Sequence, residues 1–162
     1  EAGGATVGGA RGWAAAGRGG AGRVARLDSG AVALGSPHAG VGVPGLAGPR
    51  LQPLGPLLSC HERFPAQCNA GFVQRLDRGH LRLRVHERGA GWTLACGTGA
   101  CAAMAVLHQR GEVDDRVQVE LPGGRLRIDW RGPGHPLWMT GPAAFVFEGE
   151  WPIPAGAEPV RG

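Results

Sequence analysis

Leu81-Arg82-Leu83-Arg84-Val85-His86-Glu87-Arg88-Gly89-Ala90-Gly91-Trp92-Thr93-Leu94-Ala95-Cys96-Gly97-Thr98-Gly99-Ala100-Cys101 is the stretch whose reading decides the fold. Leu81, Leu83 and Val85 alternate with Arg82, Arg84 and His86, the period-two pattern of a half-buried strand. The glycines at 89 and 91 then turn the chain. From Gly99 to Gln109 the sequence is Ala-rich with Met104 and Leu107, which reads as a helix stopped by Gly111. Cys96 sits at the mouth of that helix. A thiol there lies among backbone N–H groups that lack intrahelical acceptors, an environment that favours thiolate. The same N–H groups can hold a carboxylate. Glu87 and Arg88 lie just upstream, and the set suits proton transfer at a carbon next to a carboxylate.

Working outward, Gly71 to Leu76 reads as the hairpin partner of the 81–85 strand, with the turn at Asp77-Arg78-Gly79. Val117 to Leu121 and Leu126 to Trp130 flank Pro122-Gly123-Gly124 as a second hairpin, and Leu137 to Thr140 and Ala144 to Glu148 read as further short strands. Upstream, Ala31-Val32-Ala33-Leu34 reads as a short buried strand. Residues 35–56 are punctuated by Pro and Gly and read as loops around one helical turn, and Cys60 to Phe64 as the end of a short helix before Pro65. The expected fold class is α+β, mostly antiparallel strands wrapped around one central helix. Residues 1–30 form a Gly/Ala/Arg-rich leader expected to be poorly ordered, 31–151 the domain, and 152–162 a tail.

The formal net charge is +4, and every Lys/Arg position is arginine; Asn69 is the single asparagine and tyrosine is absent. That skew reads as coding bias. The arginines are interleaved with acids rather than clustered, so nucleic acid is not the expected partner. No apolar stretch reaches membrane-spanning length, and residues 1–26 lack the apolar core of a secretory signal. The expected location is therefore cytoplasmic, with Cys60, Cys68, Cys96 and Cys101 as reduced thiols.

A free cysteine is most often a small buried apolar residue, and that reading is given to Cys101, inside the Ala-rich run, and to Cys60 and Cys68. Cys96 is set apart by Cys96-Gly97-Thr98-Gly99, whose glycines allow a ligand close to the backbone. The spacing of Cys96 and Cys101 matches no common zinc pattern, so no metal is expected. Glu87 and Arg88 would be an unimportant exposed ion pair but for their adjacency to the Cys96 loop. His61, His80, His86, His108 and His135 are read as solvated or packed, and His38 has no stronger claim from its own surroundings.

Residues Leu81 to Ala103 resemble the second-half signature of the diaminopimelate epimerase family. Further segments agree in order: Gly35-Ser36-Pro37-His38-Ala39, Phe64-Pro65-Ala66-Gln67-Cys68-Asn69, Gly71-Phe72-Val73-Gln74, Pro136-Leu137-Trp138-Met139-Thr140-Gly141-Pro142-Ala143 and Val146-Phe147-Glu148-Gly149-Glu150. The proline-racemase and phenazine-type relatives share the architecture but not this set of motifs. The resemblance implies one half of a two-domain fold and an isomerase that needs no cofactor. It would convert L,L-diaminopimelate to the meso form, for lysine and peptidoglycan precursors, with two cysteines on opposite faces of the α-carbon. Cys96 would be one of the pair. Gly97 and Thr98 would bind the reacting carboxylate through their N–H groups. Glu87 would contact the substrate amine and, with His38, tune the cysteines, while Arg88 and Asn69 would hold the distal end. Ser36 stands where the family has Asn, and its shorter side chain offers one amide fewer. The partner motif of the first domain resembles Cys-Gly-Asn-Gly, and residues 1–30 contain neither cysteine nor asparagine. The expectation is thus a C-terminal domain carrying one thiol, inactive alone, whose partner is a separate N-terminal domain or a second copy of the chain. The alternative is a non-catalytic remnant or interaction domain.

Overall fold

A computed structural model describes residues 29–47, 49 and 51–152, together with the backbone strands at 6–8, 13–14 and 26–27. The elements run β1 (Thr6–Gly8), β2 (Trp13–Ala14), β3 (Arg26–Leu27), β4 (Ser29–Leu34), β5 (Ser36–Gly42), α1 (Leu51–Ser59), β6 (Asn69–Arg75), β7 (His80–Glu87), β8 (Gly91–Thr93), α2 (Gly97–Gln109), β9 (Arg116–Leu121), β10 (Gly124–Asp129) and β11 (Trp138–Thr140). β2 and β3 pair with each other. The other strands form one sheet in the order β1-β4-β5-β6-β7-β9-β10-β11, with β8 also on β7. The rest of the leader, and residues 153–162 of the tail, lie outside the described residues.

The α+β class holds, with two differences from the expected architecture. The sheet is mixed: β5 and β6 are parallel, as are β7 and β9, while the remaining pairs are antiparallel. There are also two helices among the described residues, because each parallel pair needs a crossover that two-residue turns cannot supply. α1 joins β5 to β6, and α2 joins β7 to β9.

β7 divides the molecule into two cores. Leu81, Leu83 and Val85 join Met104, Leu107, Val117, Val119, Ile128 and Trp130 on the α2 side. Neighbouring β6 sends Phe72 and Ala70 the other way, to Leu51 and Leu58 of α1. α2 touches β4, β5, β6 and β10, so the sheet curls around it. Ala100, Ala102, Ala103 and Ala105 are all buried, and their small side chains let strands approach this helix from several directions. The approach is closest at Gly30 of β4, where a Cβ would lie 2.4 Å from Cγ1 of Val106. Full burial of a Leu or Phe side chain contributes about 1.5–3 kcal/mol.

Three local expectations are corrected. Ser36–Gly42 is a seven-residue strand, not a loop, because it is paired on both sides, by β4 and β6, and tertiary pairing overrides the low strand propensity of Pro and Gly. The helix expected to end between Cys60 and Phe64 is α1, already finished at Ser59. It tolerates Pro53 in its first turn, where no N–H partner is needed, and contains Pro56 further in; Leu51 and Leu58 anchor it in the second core. Residues 60–67 are instead a chain of tight turns, with His61 N–H on Leu58 O, Phe64 N–H on His61 O and Gln67 N–H on Phe64 O. Finally, Ala144 to Glu148 is not a strand: β11 pairs only with β10 among the described residues, and Phe145, Val146, Phe147 and Trp151 are exposed.

Candidate functional site

β7 ends at Glu87 and α2 begins at Gly97, so the connecting hairpin brings a strand end beside a helix start. Cys96 is the residue before the helix, with extended backbone at φ −146 and ψ 101. Its carbonyl accepts the N–H of Ala100 at 3.0 Å, which places Gly97, Thr98 and Gly99 in the first turn, where N–H groups lack intrahelical acceptors. The Cys96 side chain makes no capping hydrogen bond. The thiol faces Thr98 Oγ1 at 3.7 Å. A Cβ on residue 99 would come within 3.1 Å of the sulfur, so Gly99 leaves the thiol its space.

The helix-end donors do pull the Cys96 pKa down, through the Thr98 hydroxyl and the Gly99 N–H. Burial outweighs them and pushes the thiol above its ordinary value, with the Glu87 carboxylate adding in the same direction. The net direction is therefore opposite to the expected preference for thiolate. Cys101 is also buried, which raises it to about 11, consistent with a packing residue.

The other expected residues converge on the same end of the sheet. Glu87 accepts a hydrogen bond from the Thr93 hydroxyl at 2.6 Å, and its carboxylate raises the pKa of both the Cys96 thiol and His38. His38, on β5, is almost fully buried and stands opposite Asn69 of β6 in the parallel register. Burial lowers its pKa, and Glu87 partly offsets that. His38 Nε2 is 3.3 Å from Ser36 Oγ, which also accepts Asn69 Nδ2 at 3.4 Å. Asn69 Oδ1 accepts the backbone N–H of Arg88 at 2.9 Å, and Arg88 Nη1 donates to Ala66 O at 2.9 Å. A continuous polar chain thus runs from Ser36 and His38 through Asn69 to Arg88, with Glu87 linking it to Cys96. Ser36, whose short side chain was the departure from the family pattern, is engaged by its neighbours here.

Two contributors were not anticipated. Thr93 orients Glu87; it pairs with Val85 across β7–β8, diagonal to Glu87 on the same face, which a hairpin reading of residues 87–93 would have shown. Met139 packs over the start of α2, where a Cβ on Gly97 would lie 3.0 Å from its Sδ. It sits in the Met-Thr-Gly segment noted above, but an unbranched apolar side chain gives no chemical signal. A cavity of about 490 Å³ lined by Asp115, Arg116, Asp129, Trp130, His135 and Trp138 contains none of the site residues.

The fold is shared with that of a solved hydroxyproline epimerase. A hydroxyproline epimerase from Agrobacterium vitis, with bound trans-4-hydroxy-L-proline, is similar over 70% of this chain and 41% of its own, at 23% identity and a TM-score of 0.52. A probable proline racemase from Agrobacterium radiobacter, with bound carbonate, matches over 64% and 37%, at 21% identity and a TM-score of 0.49. A phenazine biosynthesis protein of the PhzF family from Bacillus anthracis matches over 58% and 30%, at 20% identity and a TM-score of 0.46. The chain spans less than half the length of each of these. The diaminopimelate epimerase family model matches residues 30–146, and the chain belongs to that family.

Proposed function

We propose that the chain is one jaw of a cofactor-independent amino-acid epimerase, with L,L-diaminopimelate as substrate and Cys96 as its acid–base group. The observation that carries this reading is the thiol at the start of α2, beside the first-turn N–H groups of Gly97 and Thr98 and within reach of Glu87. A carboxylate held by those N–H groups would place the α-carbon next to the sulfur. Negative charge develops on that carboxylate as the α-proton leaves, so preorganised N–H dipoles stabilise the carbanion more than the ground state. Glu87 would bind the α-amine, and Arg88 and Asn69 the distal carboxylate and amine. Met139 would exclude water from the carboxylate site.

Inversion requires a proton removed on one face and another delivered on the opposite face. Cys101, buried in the α2 core, does not face the same substrate, and the described residues offer no second thiol beside Cys96. The second acid–base group would come from a complementary domain or a second copy of the chain, and the working enzyme would be cytoplasmic. Incubating the chain with L,L-diaminopimelate in deuterium oxide should give neither meso product nor, in Cys96→Ala, any α-deuterium. Robust Cys96-dependent epimerisation by the chain alone would sink the one-jaw reading. Failure of the wild-type chain to bind diaminopimelate by calorimetry would sink the substrate assignment.

One feature favours a second reading, a non-catalytic association domain: Phe145, Val146, Phe147 and Trp151 form an exposed apolar ribbon. A clean monomer in size-exclusion chromatography would count against it.

A further inference from the structure

Cys60 and Cys68 lie outside the Cys96 site, and their surroundings point to chemistry of their own. Cys68 N–H donates to Ser59 O at 3.0 Å, and Ser59 Oγ donates back to Cys68 O at 2.7 Å. The Ser59 carbonyl belongs to the peptide that joins Ser59 to Cys60. Standard peptide dimensions then hold the Cα atoms of Cys60 and Cys68 within about 7 Å of one another, near the upper end of the range of about 4.4–6.8 Å that disulfides span. The Cys68 thiol points to the end of α1, donating to Leu58 O at 3.6 Å, while Cys60, the next residue but one, is exposed. The pair Cys96–Cys101 is unlike this. Five residues along a helix separate their backbones by about 7.5 Å of rise alone, beyond disulfide reach.

We propose that Cys60 and Cys68 form a reversible disulfide, a modification site that closes the 60–68 loop. The oxidant is a low-molecular-weight disulfide, RSSR. The exposed Cys60 thiolate attacks one of its sulfurs, forming a mixed disulfide and releasing one RS⁻. The Cys68 thiolate then attacks the Cys60 sulfur, forming the protein disulfide and releasing the second RS⁻. The two thiol protons leave with the two RSH products, so two protein thiols are oxidised and one RSSR is reduced to two RSH. The second step is the slow one, because burial pushes the Cys68 thiol up to about 12.

The loop so closed supports the Cys96 site. Ala66 O, within it, accepts the Arg88 guanidinium, and Asn69, the residue after Cys68, holds the Arg88 N–H and Ser36. Between them Gln67 has a left-handed backbone, φ 60, which is costly for a side chain of its kind and shows how tightly this turn is held. Oxidation would therefore fix, or displace, the segment that positions Arg88 and Asn69.

Treat the full chain with oxidised glutathione, block remaining thiols with iodoacetamide under denaturing conditions, and digest with trypsin. Cleavage after Arg63 separates the two cysteines. The expected product is peptide 51–63 joined to peptide 64–75, lighter by two hydrogens than their sum, and lost on reduction. Cys60→Ser, at an exposed position, should fold and abolish the joined product while leaving Cys68 alkylatable. Glutathione held on Cys60 of the wild-type chain with Cys68 still alkylatable would overturn the proposal. So would cross-links spread evenly over Cys96 and Cys101.

Discussion

The two crossover units share a topology and meet chemistry at opposite poles of their helices. In β7-α2-β9 the cysteine stands before the helix, among N–H donors, and the helix behind it is buried on nearly every side. In β5-α1-β6 the cysteines follow the helix, where Cys68 gives its S–H to the Leu58 carbonyl and α1 shows Leu57 to solvent. Helix polarity thus separates a thiol that can share its surroundings with an anion from one that cannot. The first unit presents the Cys96 thiol; the second brings Asn69, at the start of β6, to the neighbouring Arg88 N–H.

The most direct way to break this comparison is to truncate each helix. Met104→Ala, in the middle of α2 and fully buried, should cost about 2–5 kcal/mol in urea unfolding. Leu57→Ala, on the exposed side of α1, should stay within about 1 kcal/mol. Equal costs would mean that α2 is not the structural axis. A second comparison concerns the thiols. Iodoacetamide at pH 8, read by peptide mass spectrometry, should label Cys96 several-fold faster than Cys68, whose thiol is held higher. Glu87→Gln should shift the Cys96 rate profile to lower pH, since the carboxylate raises its pKa, and Thr98→Val should shift it upward, since the hydroxyl lowers it. Shifts in the same direction would refute this account of the thiol's surroundings.

The smallest expected effect is the contribution of His38 to stability. Burial lowers its pKa in the folded state, so the unfolded chain takes up a proton where the native chain does not. Stability is fully present above about pH 6.5, the unfolded value, and declines as pH falls toward the folded one. Urea midpoints of His38→Gln should fall less steeply between pH 7 and 5 than those of the wild-type chain.

Much of the site was legible because its signals are local. The alternation from Leu81 to Val85, the glycines around Thr98 and the Ala-rich run define strand, turn and helix within a few residues of one another. The junction of Glu87 and Cys96 follows from chain adjacency alone. The rest depends on pairings between distant residues. Ser36–Gly42 looks like loop by propensity and becomes a strand only between two partners. The parallel register that sets His38 against Asn69 requires the α1 crossover, which Pro53 and Pro56 disguise. The Cys96 pKa departs from the sequence expectation for a related reason: the helix-end donors are written in the sequence, but the burial that outweighs them is a property of the folded core. Ala144–Glu148 fails in the opposite sense, a strand-like pattern without a strand to pair with among the described residues.

The position of β7 has a consequence for motion. It is flanked by β6, β8 and β9, and its side chains face the α2 core on one side and reach the α1 layer on the other. Its central amides can exchange with deuterium only when both layers open together, so they should be among the slowest in the chain, at the free energy of global unfolding. β11, by contrast, pairs with β10 alone among the described residues. Glu87 is the last residue of β7 and Met139 lies in β11. The candidate site therefore joins a strand held between two layers to one that, among the described residues, is paired on a single side: Glu87 is anchored by both layers, and Met139 over Gly97 is carried by β10 alone.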